Sequence, residues 1–145
     1  MRLVRIGRWM RAAAALALVG CTALAQPTTA SLENTYWKLT ELGGQSIAAG
    51  RRPQEPHFIL HPDTRRVSGA GGCNRFIGSY PLNGDLLTFG QTAGTMMACA
   101  EETETEREFF TALRQVRKAR VSGRQLELLD EADRPVARFE AVDPK

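Results

Sequence analysis

The chain contains few side chains that could do chemistry, and its two histidines are the first candidates. His57 and His61 are four positions apart, a spacing that lets two imidazoles share one face of a helix and bind a metal ion. The stretch "HFILH" is rich in β-formers, however, and on a strand the two residues would lie about 13 Å apart. One ion cannot bridge that distance, so we expect two surface histidines and no metal site.

Serine hydrolase chemistry and paired-carboxylate chemistry are also weakly indicated. Ser68 and Ser79 lack the G-x-S-x-G turn of a hydrolase, and no recognised triad pattern connects a histidine to either of them. The carboxylates of Glu104, Glu106 and Glu108 cluster at the start of a predicted helix, where a solvated face and the helix dipole account for them. We therefore expect no enzyme activity and no cofactor.

A glycine-rich stretch, "GAGGCNRF" at residues 69–76, could cradle a phosphate, carry a redox thiol or form a corner of a β-domain. A phosphate loop opens a helix and usually carries a lysine or a hydroxyl residue close behind it. Here the chain continues as "IGSYPLNGDLLTF", whose turn residues and β-formers do not start a helix. The sequence therefore favours a tight β-corner, in which the glycines allow close backbone approach.

The N-terminus predicts export. Four arginines precede an apolar run at residues 12–19, which is too short to span a bilayer but suits a secretory signal. The run ends in Leu18-Val19-Gly20-Cys21, which resembles the bacterial lipobox, so we predict a signal peptide at residues 1–20 and lipidation of Cys21. The A-x-A pattern at residues 23–25 offers an alternative cleavage site for the ordinary signal peptidase.

Removal of this signal changes the charge of the chain. Residues 1–20 hold four of the 19 basic residues and none of the 16 acidic ones, so the remainder carries 15 against 16, a net charge of −1. Sequence-independent nucleic-acid binding needs a lasting basic excess, so we expect no nucleic-acid partner. Residues 21–31 form a lipidated cysteine and a flexible tether, and residues 32–143 form one domain.

Export also determines how the other cysteines are interpreted. Cys73 and Cys99 would remain in an oxidising compartment, where two leftover cysteines usually form a disulfide. Buried free thiols and a redox pair are the alternatives, although no C-x-x-C spacing is present. Met96 and Met97 lie close to Cys99, so a Cu(I) site is conceivable. Methionine fills irregular cores more often, and we expect both to pack in the core.

Short alternating strands dominate the remaining pattern. Strands are predicted over "TYWKLTEL", "HFILH" and "RRVSG", and a type I′ hairpin is predicted with Asn83-Gly84 as its turn. "RVS", "QLELL" and "VARFEA" predict a closing three-stranded meander.

One segment, "TETEREFFTALRQVRK" at residues 103–118, has helical periodicity instead. Phe109, Phe110, Leu113 and Val116 share one face, and Thr103 with Glu106 fits a capping box. A single amphipathic helix is therefore expected among the strands.

Several stretches together resemble the META/HslJ family of bacterial envelope lipoproteins: "NTYWKLTEL", "VSGAGGCNRFIGSY", "LLTFGQTAGTMMAC", "EFFTAL" and "LELLDEADRPVARFEA". The most specific parts are residues 72–76 and 95–99, which contain Cys73 and Cys99. The resemblance implies a mainly β fold, a small, partly open antiparallel β-barrel with one packed helix. It implies no catalytic activity and a loose link to stress or envelope integrity.

The lipobox and the resemblance together imply a non-catalytic envelope lipoprotein that contacts the membrane through its lipid and a protein or cell-wall partner through its domain. Thr22 after the lipidated cysteine predicts the outer membrane, facing the periplasm. The alternative is a binding module for an apolar ligand, or an inhibitor of a secreted hydrolase. An interior filled by Trp37, Leu39, Phe58 and Phe89 would favour the first function.

Asn74 and Arg75 are the motif residues with the best chance of binding a partner. Asparagine suits a turn, and arginine can hold a neighbouring strand through carbonyls or a carboxylate. We expect a local structural role for both residues, and binding as the alternative.

Overall fold

The computed structural model describes residues 28–48, 53–99 and 103–143. The predicted signal peptide and Cys21 lie outside these described residues. In chain order the strands are β1 (Tyr36–Leu42), β2 (Gln45–Ser46), β3 (His57–His61), β4 (Arg66–Ala70), β5 (Arg75–Ser79), β6 (Leu82–Asn83), β7 (Leu86–Leu87), β8 (Thr92–Gly94), β9 (Lys118–Ser122), β10 (Gln125–Leu129) and β11 (Pro135–Val142). The helix α1 (Thr103–Gln115) lies between β8 and β9.

The strands form one antiparallel sheet that curls into an open half-barrel. Their order is β6-β7-β9-β10-β11-β1-β3-β4-β5-β8, and β2 also pairs with β1. The first long strand, β1, therefore lies in the middle of the sheet, between the last strand β11 and β3. The helix packs against β1 and β11. The predicted fold class, a partly open antiparallel barrel with one packed helix, is confirmed.

Alternation of apolar and polar residues sets which face of each strand is buried. In β1, Trp37 and Leu39 are buried, whereas Tyr36 and Lys38, which alternate with them, are half-buried on the outer face. In a strand, successive side chains point to opposite faces, so this pattern gives one packed face and one wetter face. The predicted strands at β1, β3, β4 and the β9-β10-β11 meander are all present.

The β6-β7 hairpin is present, but its turn is one residue later than predicted. Asn83 pairs with Leu86, so Gly84 and Asp85 are the two turn residues. Gly84 has φ of 64°, which fits glycine at the first turn position of a type II′ hairpin rather than the predicted Asn-Gly type I′ turn. This register faces Leu87 into the core, where it is fully buried.

The helix ends at Gln115, three residues before the predicted end at Lys118. Lys118 instead begins β9, where it pairs with Leu129. On its apolar face Phe109 and Leu113 are buried as predicted and Phe110 is half-buried, and Val116, the first residue after the helix, is buried as well.

Side chains fill the interior of the half-barrel. Trp37, Leu39 and Phe58 are buried in the core, and half-buried Phe89 packs edge-to-face on Phe58 with ring centroids 5.6 Å apart. The indole Nε1 of Trp37 donates a hydrogen bond of 2.9 Å to the carbonyl of Leu32. No helix in the described ranges is long and apolar enough to cross a membrane.

Candidate functional site

The cysteine corner, residues 71–74, joins the end of β4 to the start of β5. The structure bonds Cys73 to Cys99, and their Cα atoms are 6.0 Å apart, within the usual range for a disulfide. Cys73 is buried, and its bond ties the corner to the 95–98 segment, which follows β8. The two stretches that carry the resemblance are therefore neighbours in space.

The carboxylate of Glu106 occupies the cradle formed by the cysteine corner. One of its oxygens accepts hydrogen bonds from the backbone N–H groups of Cys73 at 3.0 Å and Asn74 at 2.6 Å. The other oxygen accepts a hydrogen bond of 2.8 Å from the side-chain amide of Asn74. Successive backbone N–H groups in such a concave turn bind anions well. The glycine-rich loop therefore binds an anion, as a phosphate loop does, but the anion is the carboxylate of Glu106 on the protein's own helix α1.

Two glycines make this contact possible. A Cβ atom on Gly71 would lie 2.7 Å from Cγ of Glu106 and 3.2 Å from the ring of Phe110, so any side chain there would push the helix away. Gly72 has φ of 126°, a backbone conformation that other residues rarely adopt.

Glu106 was expected to form a capping box with Thr103 or to lie on the solvated face of α1, and the solvated-face expectation is wrong. Its carboxylate is half-buried and accepts hydrogen bonds from Cys73 and Asn74. The capping box stays a prediction. Glu104 and Glu108 are exposed, as the solvated-face interpretation predicts.

The side chain of Asn74 holds the 95–98 segment in place. Its Oδ1 accepts hydrogen bonds from the backbone N–H of Met97 at 2.6 Å and the hydroxyl of Thr95 at 2.9 Å. Its Nδ2 donates to the Met97 carbonyl at 3.3 Å as well as to Glu106. Asn74 therefore connects the 95–98 segment to α1, a structural role that matches the expectation for this residue.

The structural role expected of Arg75 is not seen among the described residues. Its backbone pairs with Thr95, but within the described ranges its guanidinium has no hydrogen bond or ion pair, and the residue is exposed. In this part of the chain the donors and acceptors of the corner are satisfied by Asn74 and Glu106 instead.

The two methionines are on the surface and not in the core. Met96 is 98% exposed and Met97 is 51% exposed, so the predicted core packing is wrong. The backbone of Met97 is held by Asn74, which fixes both thioether side chains outside the barrel. Ile77, on the neighbouring strand β5, is 49% exposed. Three of the four large hydrophobic side chains that the described residues expose therefore lie at this end of the sheet.

The META domain family model matches residues 30–143. The chain belongs to the META domain family. An NMR structure of a protein from Burkholderia xenovorans is similar to it, with a TM-score of 0.62 and 27% identity over 78% of this chain and 85% of that one. A second NMR structure has the same fold at 22% identity, with a TM-score of 0.58 over 75% of this chain and 90% of that one. No curated protein matches the chain.

The outer face of the META domain carries a charged cluster next to Arg75, formed by Tyr36, Lys38, Glu55 and His57. The rings of Tyr36 and His57 stack with centroids 4.3 Å apart. The Glu55 carboxylate accepts a hydrogen bond of 3.1 Å from the Tyr36 hydroxyl. It also forms an ion pair with Lys38, with an N–O distance of 2.9 Å. Nδ1 of His57 lies 2.7 Å from the Glu55 carbonyl, which can only accept, so this nitrogen carries the proton.

Burial and the hydrogen bonds of this cluster shift three pKa values. Burial raises the pKa of Tyr36, and its hydrogen bond to Glu55 adds to the effect. Burial alone would raise the pKa of Glu55, but the bonds from Lys38 and Tyr36 outweigh it and the pKa is lowered. Burial lowers the pKa of His57, and the nearby Arg75 charge lowers it further against the opposing effect of Glu55.

We expect His57 to make the domain less stable in mild acid. Its folded-state pKa lies below the ordinary 6.5, so the unfolded chain binds its proton first as the pH falls. The contribution of neutral His57 to the free energy of unfolding is therefore fully present above pH 6.5. It is lost as the pH falls from 6.5 to the lowered pKa of the folded state. The melting temperature should fall between about pH 7.5 and about pH 5.5, and His57→Gln should show a smaller fall. An identical fall in both proteins would contradict this assignment.

A serine and a histidine meet on the same outer face, which sequence patterns did not predict. Nε2 of His61 lies 2.8 Å from Oγ of Ser68, across the β3-β4 pairing. A nucleophile needs a base and usually a third group that orients the base, together with donors for an oxyanion. Among the described residues no third partner of His61 is present. Both histidines were expected at the surface, and in the structure both are half-buried there.

The two histidines do not form a metal site, since each imidazole is engaged by a different partner. No group of three His, Cys, Asp or Glu side chains in the described part of the chain could hold a metal ion.

An open groove of about 590 Å³ lies between α1 and the turn that follows β1. Its cations are already paired, Arg134 with Asp130 at 2.8 Å and Arg107 with Glu104 at 3.4 Å. The groove therefore offers little free charge to a ligand.

Proposed function

We propose that this protein is a non-catalytic, lipid-anchored module of the bacterial cell envelope that supports envelope integrity or stress tolerance by docking a protein partner at the cysteine corner. The observation that carries the docking proposal is the exposed surface of Arg75, Ile77, Met96 and Met97. It combines exposed apolar side chains with a cation that has no partner among the described residues. Contiguous exposed apolar surface with a polar rim is typical of protein interaction sites.

The rigidity of this surface supports docking rather than a mobile loop. The disulfide, the Asn74 amide and the Glu106 carboxylate all hold the corner and the 95–98 segment. A shallow groove of about 320 Å³ runs beside Arg75 and Ile77. A surface that is already ordered loses less entropy on binding, which favours affinity.

The filled interior argues against the alternative function, an apolar ligand inside the barrel. Trp37 and Phe58 occupy the space that such a ligand would need. The other alternative, inhibition of a secreted hydrolase, is tested by identifying the captured protein.

Anchoring is tested by replacing the predicted lipidation site. Cys21→Ala should move the protein from the membrane fraction to the soluble periplasmic fraction, because one apolar run of this length cannot hold it in the bilayer. A wild-type protein that is already soluble and begins at Gln26 would contradict the lipoprotein proposal.

Docking is tested by photo-crosslinking in intact envelopes. A photo-reactive amino acid at position 97 should capture a specific protein, whereas the same group at position 86 should not. Leu86 is the matched control, because it is 51% exposed, as Met97 is, but lies on β7, near the other end of the sheet order. Equal capture at both positions would contradict a docking site at the corner.

Arg75→Glu should reduce this capture while leaving the fold intact. The guanidinium has no partner among the described residues, so the free energy of unfolding should change by less than about 0.5 kcal/mol. Reduced capture with an unchanged melting temperature supports a binding role for Arg75. A variant that melts well below wild type would instead restore the structural role predicted from sequence.

A further inference from the structure

The two exposed methionines point to chemistry that is open to the domain whenever no partner covers its docking surface. We propose that Met96 and Met97 form an oxidant-reactive site, at which peroxide or hypochlorous acid converts the thioethers to sulfoxides that methionine sulfoxide reductases can restore. With hydrogen peroxide, a sulfur lone pair attacks one oxygen, the O–O bond breaks, and the proton of the attacked oxygen moves to the leaving hydroxide, which departs as water. With hypochlorous acid, the sulfur attacks chlorine, and water then supplies the oxygen as chloride and protons leave. In both cases the sulfur loses two electrons and becomes S=O, and the reductase returns them from a thiol reductant as the oxygen leaves as water.

Exposure makes these two side chains selective targets. Met96 and Met97 are 98% and 51% exposed, whereas Trp37 is fully buried. The Cys73 sulfur is already oxidised in its disulfide with Cys99. Oxidation susceptibility follows access to the sulfur, so the oxidant reaches the two thioethers before the indole of Trp37.

The local structure lets the site react without loss of the fold. Oxidation of a core methionine disrupts packing, because it places a polar S=O group among apolar side chains. Here the sulfurs lie outside the barrel, and the hydrogen bonds that hold Met97 use only its backbone. Repeated oxidation and repair can therefore proceed on a folded domain, which makes the pair a renewable sink for oxidant.

The experiment treats the mature, membrane-extracted protein with hydrogen peroxide and maps oxidation by peptide mass spectrometry. Met1 and Met10 belong to the predicted signal peptide, so Met96 and Met97 are the two remaining methionines of the four in the sequence. Met96 should react at about the rate of N-acetylmethionine and about twofold faster than Met97, following their exposures. The melting temperature should not change, and reductase treatment should remove both oxygens.

A matched pair of variants separates exposure from other causes. Met96→Leu with Met97→Leu should remove all peroxide-dependent oxidation from residues 28–143 of the folded protein, and peptide mass spectrometry separates this from oxidation at the lipidated Cys21. Adding Leu126→Met to that background places a methionine at a fully buried core position, and it should stay unoxidised until the protein is denatured. Reaction of Met96 more than about tenfold slower than N-acetylmethionine, or unfolding that accompanies oxidation, would overturn the proposal.

Discussion

Replacing Glu106 by alanine should lower the free energy of unfolding by about 3 kcal/mol, because three donors lose their acceptor at once. These donors are the backbone N–H groups of Cys73 and Asn74 and the Asn74 amide. Hydrogen bonds to a charged group are the stronger kind, and a donor left unpaired in a part-buried site costs more than the bond alone contributes. Chemical denaturation monitored by circular dichroism measures the change.

Two further variants make this test specific to the cradle. Glu106→Gln keeps one carbonyl acceptor but loses the charge, so its loss should be intermediate. Glu108→Ala removes an exposed carboxylate from the same helix and should change stability by less than about 0.5 kcal/mol. Equal losses for Glu106→Ala and Glu108→Ala would show that helix propensity or charge, and not the cradle, causes the effect.

Removing the disulfide should cost a similar amount by a different route. The bond closes a loop of 26 positions, and the chain-entropy model gives about 3.5 kcal/mol for its effect on the unfolded state. The double variant Cys73→Ala with Cys99→Ala should show this loss in chemical denaturation. Reduction of the wild-type protein should reproduce it.

Thiol titration provides the control for the disulfide. The denatured wild-type domain should contain no free thiol at Cys73 or Cys99. Two titrating thiols would show that the isolated protein lacks the disulfide. A double variant as stable as wild type would show that the disulfide does not contribute to the free energy of unfolding.

The fold was predictable from sequence because its strongest signals are local and agree with one another. The alternation of Trp37 and Leu39 with polar neighbours, and the apolar face of α1, depend on few residues and are both observed. The hairpin turn was misplaced by one residue because Asn-Gly and Gly-Asp are both good turn dipeptides. The choice between them was made by the burial of Leu87, which is a tertiary effect.

The candidate site was less predictable, although Glu106 left a signal in the sequence. It precedes Phe109 and Phe110 by three and four positions, so helical geometry places it on the side that faces the sheet. A carboxylate on that side needs donors, and the glycine-rich corner supplies them. The general preference for acidic residues at helix starts concealed this requirement.

Other features of the site have no local signal. The contact between His61 and Ser68 depends on the register of β3 against β4. The exposure of Met96 depends on the 95–98 segment lying beyond the last strand of the sheet order. Neither can be read from spacing along the chain.

The pairing of β1 with β11 has a consequence for how the chain is made. Tyr36 lies opposite Val142, so the central strand of the sheet lacks one of its two neighbours until almost the whole domain has been synthesised. Contacts between distant parts of a chain form slowly, because the long intervening loop must close first. A polypeptide that emerges N-terminus first therefore cannot complete this sheet until its last strand has been made.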